Sequence, residues 1–68
     1  MELTVELEQE TDGRWIAEVV VLPGVLAYGD TPEDAVAKAQ ALALRVLADR
    51  LEHGEAGPDI GTITFKAA

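Results

Sequence analysis

Three carboxylates in the N-terminal half of this 68-residue chain stand where they could do chemistry together. Glu6 and Glu18 lie in two segments with strand-like patterns, and Asp30 follows a third such segment. Catalysis with two metals needs several acids that converge from different strands around a cavity. Acids at alternate strand positions are also the ordinary solvated face of a half-buried sheet, and so small a sheet builds no water-excluding pocket. We therefore expect no catalysis, no metal site and no cofactor.

A second candidate site is the cluster Gly29-Asp30-Thr31, which precedes an alanine-rich segment. The N-terminus of a helix can bind an anion through its free amides. Glu33 and Asp34, however, occupy the first turn, where they complement the helix dipole and would repel a phosphate. Capping explains the cluster better, with Thr31 as the N-cap, Pro32 at the first helical position and Asp34 three residues after the cap. We therefore predict a well-capped helix rather than an anion site.

The chain has one histidine and no cysteine. His53 lies near the predicted end of the helix, where the dipole favours a cation, but without a second histidine or a cysteine it is a poor metal ligand. The lack of cysteine excludes disulfides and thiolate chemistry and agrees with a reducing cytoplasm. Trp15 could anchor a partner, although a strand tryptophan more often fills a core.

Charge narrows the range of partners. Thirteen acidic residues against five basic ones give a net charge of −8, which repels a phosphate backbone and favours a basic partner. A high net charge also simply keeps a protein in solution. The longest apolar run, residues 19–22, is far shorter than the ~20 residues of a membrane helix. We expect no direct nucleic-acid binding, no membrane span and a cytoplasmic location.

The elements that must position these residues follow from the hydrophobic pattern. Leu3, Val5 and Leu7 alternate with polar residues, as in a half-buried strand. The turn residues Thr11-Asp12-Gly13 join this strand to a β-branched second strand, and Pro23-Gly24 breaks the ladder before a short third one. A fourth strand follows the helix by a crossover to the far edge of the sheet. The strands are predicted over residues 2–8, 14–21, 25–28 and 60–65.

The helix is predicted from Pro32 to about His53, with Gly54 and Gly57-Pro58 as its stop. Its apolar surface extends further round than the covering of one sheet requires. The additional residues either raise helix propensity or let another chain approach closely. Because so small a domain buries only a marginal core, we predict a homo-oligomer, a dimer or tetramer, that associates through Ala37, Ala41, Leu44, Ala48 and Leu51.

These elements predict a single domain over residues 1–68 of the α+β class, with the order β-β-β-α-β and one long helix packed on a face of a small mixed sheet. The series of motifs resembles the signature of the HicB antitoxin family: an aromatic-led strand, a Leu-Pro-Gly turn, a short strand, Gly-Asp/Glu-Thr and an acidic, alanine-rich helix. The resemblance spans about residues 2–52. It implies a partial ribonuclease-H-like fold with the same order. The matching residues are Trp15, Leu22, Pro23, Gly24, Gly29, Asp30 and Thr31.

The resemblance also implies a function. HicB proteins form dimers or larger oligomers and typically bind and block a small basic toxin ribonuclease, while a C-terminal domain binds the operator. This sequence ends at Ala68, about where the N-terminal domain would finish, so we expect a solitary HicB-like domain of a type II toxin–antitoxin system without operator binding. The alternative is an orphan oligomeric scaffold or ligand-binding domain with no toxin.

Acidic residues on the predicted strands could meet the basic surface of such a toxin. They could equally be solvated strand residues, and the sequence leaves both interpretations open. The residues concerned are Glu6, Glu8, Glu18 and Asp30.

Overall fold

A computed structural model describes residues 1–54 and 61–68, which form a four-stranded sheet with a helix on one face. This arrangement confirms the predicted α+β class and the order β-β-β-α-β. The predicted helix stop at Gly57-Pro58 and the predicted strand start at Ile60 lie outside the described residues. The elements in chain order are β1 (Glu2–Gln9), β2 (Trp15–Val19), β3 (Leu26–Gly29), α1 (Pro32–Glu52) and β4 (Thr64–Ala67).

The strands lie in the order β3-β2-β1-β4. Strand β1 pairs antiparallel with β2 and parallel with β4, and β2 pairs antiparallel with β3. The segment that contains α1 therefore carries the chain from one edge of the sheet to the other, as the crossover prediction requires. Strand β4 pairs only with residues 2–5 of β1, so β1 continues beyond the end of its neighbour.

Strand β2 is shorter than the predicted residues 14–21. The amide of Leu22 donates a hydrogen bond to the carbonyl of Val19 at 3.0 Å, and this turn leads the chain away from β1 after a last backbone bond from the amide of Val20 to the carbonyl of Thr4 at 3.2 Å. Val20 and Val21 lie on the surface, 48% and 58% exposed. Their β-branched side chains favour a strand locally, but the turn closed by Leu22 overrides that preference.

The next turn sets the start of β3. The amide of Val25 donates to the carbonyl of Leu22 at 3.1 Å, and Gly24 between them has φ +82°. Pro23 followed by a glycine with positive φ is the combination that a type II turn requires. Val25 is buried at the end of this turn, so β3 begins one residue later than predicted.

Strand β4 lies further along the chain than the predicted residues 60–65. The amide of Thr64 donates to the carbonyl of Met1 at 2.9 Å, and the amide of Ala68 donates to the carbonyl of Val5 at 3.0 Å. These backbone bonds with β1 decide the bounds of β4. The side-chain pattern of Ile63 and Phe65 does not reveal them, although both side chains pack against the core.

The core lies between α1 and the sheet, and small residues line the helix side of it. Ala35, Ala39 and Ala43 are completely buried at four-residue spacing, and Leu47 is 3% exposed. Their small side chains let α1 lie close to the strands. The other buried core residues are Leu3, Val5, Ala17, Val19, Leu22 and Val25.

Helix α1 covers only half of the sheet. A helix is ~10 Å across and strands are ~4.8 Å apart, so one helix covers about two strands. It packs mainly on β2 and β3 and touches β1 at few positions. Leu7, which the alternation placed on the apolar face of β1, is therefore 41% exposed. Phe65 of β4 is only half-buried.

Candidate functional site

The face of the sheet turned away from α1, which we call the open face, carries the even-numbered residues of all four strands. Side chains alternate along a strand, and the registers align these residues across the sheet. Odd-numbered residues such as Leu3, Ala17 and Val19 point instead into the core. The open face thus collects three of the four acids that were predicted to bind a partner.

Two of these acids oppose each other directly. Glu6 of β1 is the cross-strand partner of Glu18 of β2, and Glu8 follows on the same face of β1. Side chains that face each other across antiparallel strands have Cβ atoms about 4.5–5.5 Å apart, and like charges there are destabilising. All three glutamates are exposed. Within residues 1–54 and 61–68, no ion pair involves any of them.

Asp30 does not join this group. It follows Gly29, which pairs with Trp15, whereas Glu18 pairs with Leu26. Four residues along an extended chain separate Leu26 from Asp30, about 13 Å at 3.3 Å per residue. The predicted acidic surface therefore consists of Glu6, Glu8 and Glu18, with Asp30 at the entrance to α1.

An apolar group that was not predicted from the sequence adjoins the three glutamates. Ile16 pairs with Tyr28, and Glu18 pairs with Leu26. Leu26 and Tyr28 are 40% and 42% exposed. Along β3, Leu26 and Tyr28 alternate with the small residues Ala27 and Gly29. This alternation in the sequence could have revealed the apolar group, because the small residues of β3 face the helix and the large ones face outward.

Arg14 borders this apolar group. Its guanidinium lies 4.6 Å from the centroid of the Tyr28 ring, a cation–π distance, and its Nε lies 2.8 Å from Oδ2 of Asp12. The amide of Arg14 also donates to Oδ1 of Asp12 at 3.0 Å. That backbone hydrogen bond, and then the guanidinium, hold the pKa of Asp12 below its usual value.

A shallow depression of about 540 Å³ lies beside the glutamates, where β1 continues past the end of β4. It could accept the side chain of a lysine or arginine. The lining of this depression includes Glu6, Glu8, Glu10, Ile16, Glu18 and Ala68. In the part of the chain that the structure describes, no group of three or more His, Cys, Asp or Glu residues is arranged to hold a metal ion.

The junction between β3 and α1 is explained by packing and capping. The amide of Asp34 donates to Oγ1 of the N-cap Thr31 at 3.0 Å, which confirms the predicted cap. A carboxylate oxygen of Asp34 lies 3.0 Å from Nζ of Lys38. A β-carbon at Gly29 would meet the backbone of Ala35 and the Asp34 carboxylate. The Asp34 carboxylate therefore lies at the junction where an anion would have to bind.

The five residues predicted to form an oligomer interface all lie on the exposed side of α1. We call them the outer stripe. Leu44 and Leu51 are 47% and 40% exposed. Lys38 and Arg45 are exposed on one flank of the stripe. The outer stripe consists of Ala37, Ala41, Leu44, Ala48 and Leu51.

Two other residues singled out in the sequence have structural positions. Trp15 is half-buried and packs against the core. His53 is the C-cap residue of α1, and its Nδ1 lies 2.8 Å from the carbonyl oxygen and 3.2 Å from Oδ1 of Asp49. Both contacts help to end the helix.

No protein-family model, curated protein or solved structure matches this chain. The motif residues singled out in the sequence lie at the start of β2, in the turn before β3 and at the junction between β3 and α1. Over residues 1–54 and 61–68, no helix has the length and apolar character needed to cross a membrane.

Proposed function

We propose that this chain is a HicB-like, antitoxin-type interaction module that binds a small basic toxin protein through its open face. In this proposal it acts in the cytoplasm as an oligomer. The observation that carries the proposal is the direct opposition of Glu6 and Glu18 beside Glu8, with no cation paired to them in the described residues. The motif series supports the antitoxin class.

The charge of a basic partner is complementary to that of this acidic surface. Three neighbouring carboxylates repel one another, and a lysine or arginine placed between Glu6 and Glu18 would turn that repulsion into attraction. Complementary charge also accelerates encounter and suppresses wrong partners. The net charge of −8 extends the attraction beyond contact distance.

The adjoining apolar group would supply the contact area. Tyr28, Leu26 and Ile16 are continuous with the glutamates across the sheet. Tyrosine is enriched among the residues that dominate binding energy, and arginine on the partner side is equally favoured. The surface therefore fits a partner segment that carries both basic and apolar side chains.

The second candidate function is an orphan oligomeric scaffold with no toxin. The exposed leucines of the outer stripe favour it, because self-association needs no basic partner. The coding sequence next to this one discriminates between the two functions. A neighbour that encodes a small basic protein favours the antitoxin, and a neighbour without that character favours the scaffold.

The decisive experiment mixes the chain with that small basic protein and measures binding by calorimetry at moderate salt. We expect a stable complex. The double variant Glu6→Lys/Glu18→Lys should lose at least about tenfold in affinity, since close charge pairs across interfaces couple by 1.5–7 kcal/mol. Asp49→Lys/Glu52→Lys in the last turn of α1 makes the same change in net charge at two exposed acids away from the open face and is the control.

Two results would count against the proposal. One is no complex at any salt concentration. The other is an equal loss of affinity in the control, which would show that only net charge matters and that the open face is not the site.

A further inference from the structure

On the side of the sheet that carries α1, the apolar surface around Leu7 and Phe65 is incompletely covered, whereas Leu3 and Val5 of β1 are buried in the core. A groove of about 230 Å³ runs between α1 and the strands β1 and β4. Leu7 at its wall is 41% exposed, and Phe65 is half-buried. The remaining lining residues are Val5, Val36, Gln40, Lys66 and Ala67.

This groove is continuous with the outer stripe of α1. A second depression lies on the helix itself and is lined by Pro32, Glu33, Val36, Ala37 and Gln40, so that one acidic side chain borders it near the start of α1. Val36 and Gln40 line both depressions. The apolar surface is therefore continuous from the groove, over one flank of α1, to the outer stripe. Lys38 and Arg45 lie on the other flank.

We propose that a second copy of this chain covers the continuous apolar surface formed by the groove and the outer stripe. Two molecules stack with their helix sides together, and α1 of each lies over the groove around Leu7 and Phe65 of the other. The two helices then form a middle layer between two sheets. The interface is isologous, because the outer stripe of one molecule meets the groove of its partner and the reverse contact forms by symmetry.

The dimensions of the elements support this arrangement. Four strands span about twice the width of one helix, so a second helix is the element that completes the cover. The outer stripe from Ala37 to Leu51 is about 21 Å long at 1.5 Å per residue. Seven steps of 3.3 Å along the eight residues of β1 span about 23 Å, of which the part around Leu7 is exposed, whereas Leu3 and Val5 are already buried.

The composition of α1 supports a sheet as the surface that covers its outer stripe. The inner face packs on β2 and β3 through three alanines and a leucine, residues 35, 39, 43 and 47. The outer stripe repeats that mixture, with Ala37, Ala41 and Ala48 beside Leu44 and Leu51. The same helix thus carries two faces of the kind that lies close to a sheet.

The distribution of charge favours a second copy over a basic partner as the molecule that covers this surface. The outer stripe carries no charged residue, and Leu7, Val36 and Phe65 make the groove mainly apolar. None of the unpaired glutamates lines the groove, although Val5, Leu7 and Ala67 line both the groove and the depression beside the glutamates. Like charges oppose the self-association of a chain of net charge −8, so a surface without carboxylates favours it, and a basic partner would find none in the groove. In the stacked dimer both open faces point outward.

The test measures the mass of the full 68-residue chain in solution by light scattering at micromolar concentration. We expect two chains of 7.2 kDa each. Leu7→Glu in the groove and Leu44→Glu in the outer stripe should each convert the dimer to a monomer. Leu26→Glu is the matched control, because Leu26 is exposed to the same degree as Leu7, 40% against 41%, but lies on the open face. It should remain dimeric.

A complementation experiment tests the contact itself. Leu7→Lys and Leu44→Glu should each be monomeric alone and should form a heterodimer when mixed, since one opposite-charge contact and one unaltered contact then remain. Circular dichroism confirms that each variant is folded. Leu7→Gln replaces Leu7→Glu if the charged variant unfolds, and it should weaken the dimer in the same direction.

Three outcomes would overturn the proposal. The first is a monomeric wild-type chain, or one that associates only with a different protein. The second is dissociation by Leu44→Glu but not by Leu7→Glu, which would indicate simple helix-to-helix pairing. The third is dissociation by Leu26→Glu, which would place the interface on the open face. The readout is mass, so it is independent of whether a basic toxin binds.

Discussion

Gly29 lies so close to the backbone amide of Ala35 that a β-carbon at residue 29 would collide with it. Strand β3 and the first turn of α1 therefore meet with no side chain between them. The carboxylate of Asp34 lies 2.8 Å from the same position. This contact makes glycine a structural requirement at residue 29, since a backbone held by the helix cannot shift as cheaply as a flexible side chain.

Gly29→Ala should lower the free energy of unfolding by about 1–3 kcal/mol, the usual range for overpacking. The added methyl must push β3 away from α1 or distort the first helical turn. Urea denaturation measures the change. Leu26→Ala, on the outward side of the same strand, is the control, and a smaller loss for Gly29→Ala than for this control would contradict the close contact.

Thr31→Ala should lower the free energy of unfolding by about 1 kcal/mol. The substitution removes the hydroxyl that accepts the amide of Asp34 at 3.0 Å, so that this amide at the start of α1 loses its partner. Thr31→Ser should keep most of the stability. Thr11→Ala in the exposed β1–β2 turn is the control in thermal denaturation, and equal effects at both threonines would refute the capping role.

Glu18→Gln should raise the free energy of unfolding by about 0.2–1 kcal/mol, because it removes the like-charge contact with Glu6. The gain should shrink in high salt, which already screens the repulsion. Glu2→Gln is the control on the same face, since Glu2 has Lys66 at 3.8 Å, and it should give no gain. In the Glu6→Gln background, Glu18→Gln should stabilise less, and full additivity would argue against direct repulsion.

Asp12 should contribute a pH-dependent part of the stability. Its pKa is lowered in the folded chain by the hydrogen bond from the Arg14 amide and then by the Arg14 guanidinium. A lowered folded pKa means that the unfolded state binds the proton more readily. The contribution is therefore complete above the ordinary pKa of 3.8 and is lost as the pH falls through the folded value.

Urea midpoints measured across the acid range check this prediction. Asp12→Asn should flatten the decline in stability at low pH relative to the wild-type chain. An unchanged slope in the variant would mean that other carboxylates account for the whole decline.

The local features of this fold could be predicted from the sequence because each depends on residues a few positions apart. The alternation in β1 follows from side chains that point to opposite faces. The turn at Pro23-Gly24 and the cap at Thr31 follow from fixed or permissive backbone angles and from one hydroxyl. The end of β2 could not be predicted from the sequence, because Val20 and Val21 have side chains that favour a strand. In the structure, a turn closed by the amide of Leu22 ends the strand before them.

The sequence by itself determined the elements, their order and the presence of excess acid and excess apolar helix surface. Only the tertiary structure decided how these surfaces are arranged. The pairing of β1 with β2 sets Glu6 against Glu18 and leaves Asp30 apart. The contact of Gly29 with Ala35 draws α1 towards β3. Because one helix cannot cover four strands, that placement leaves Leu7 and Phe65 uncovered beside the outer stripe.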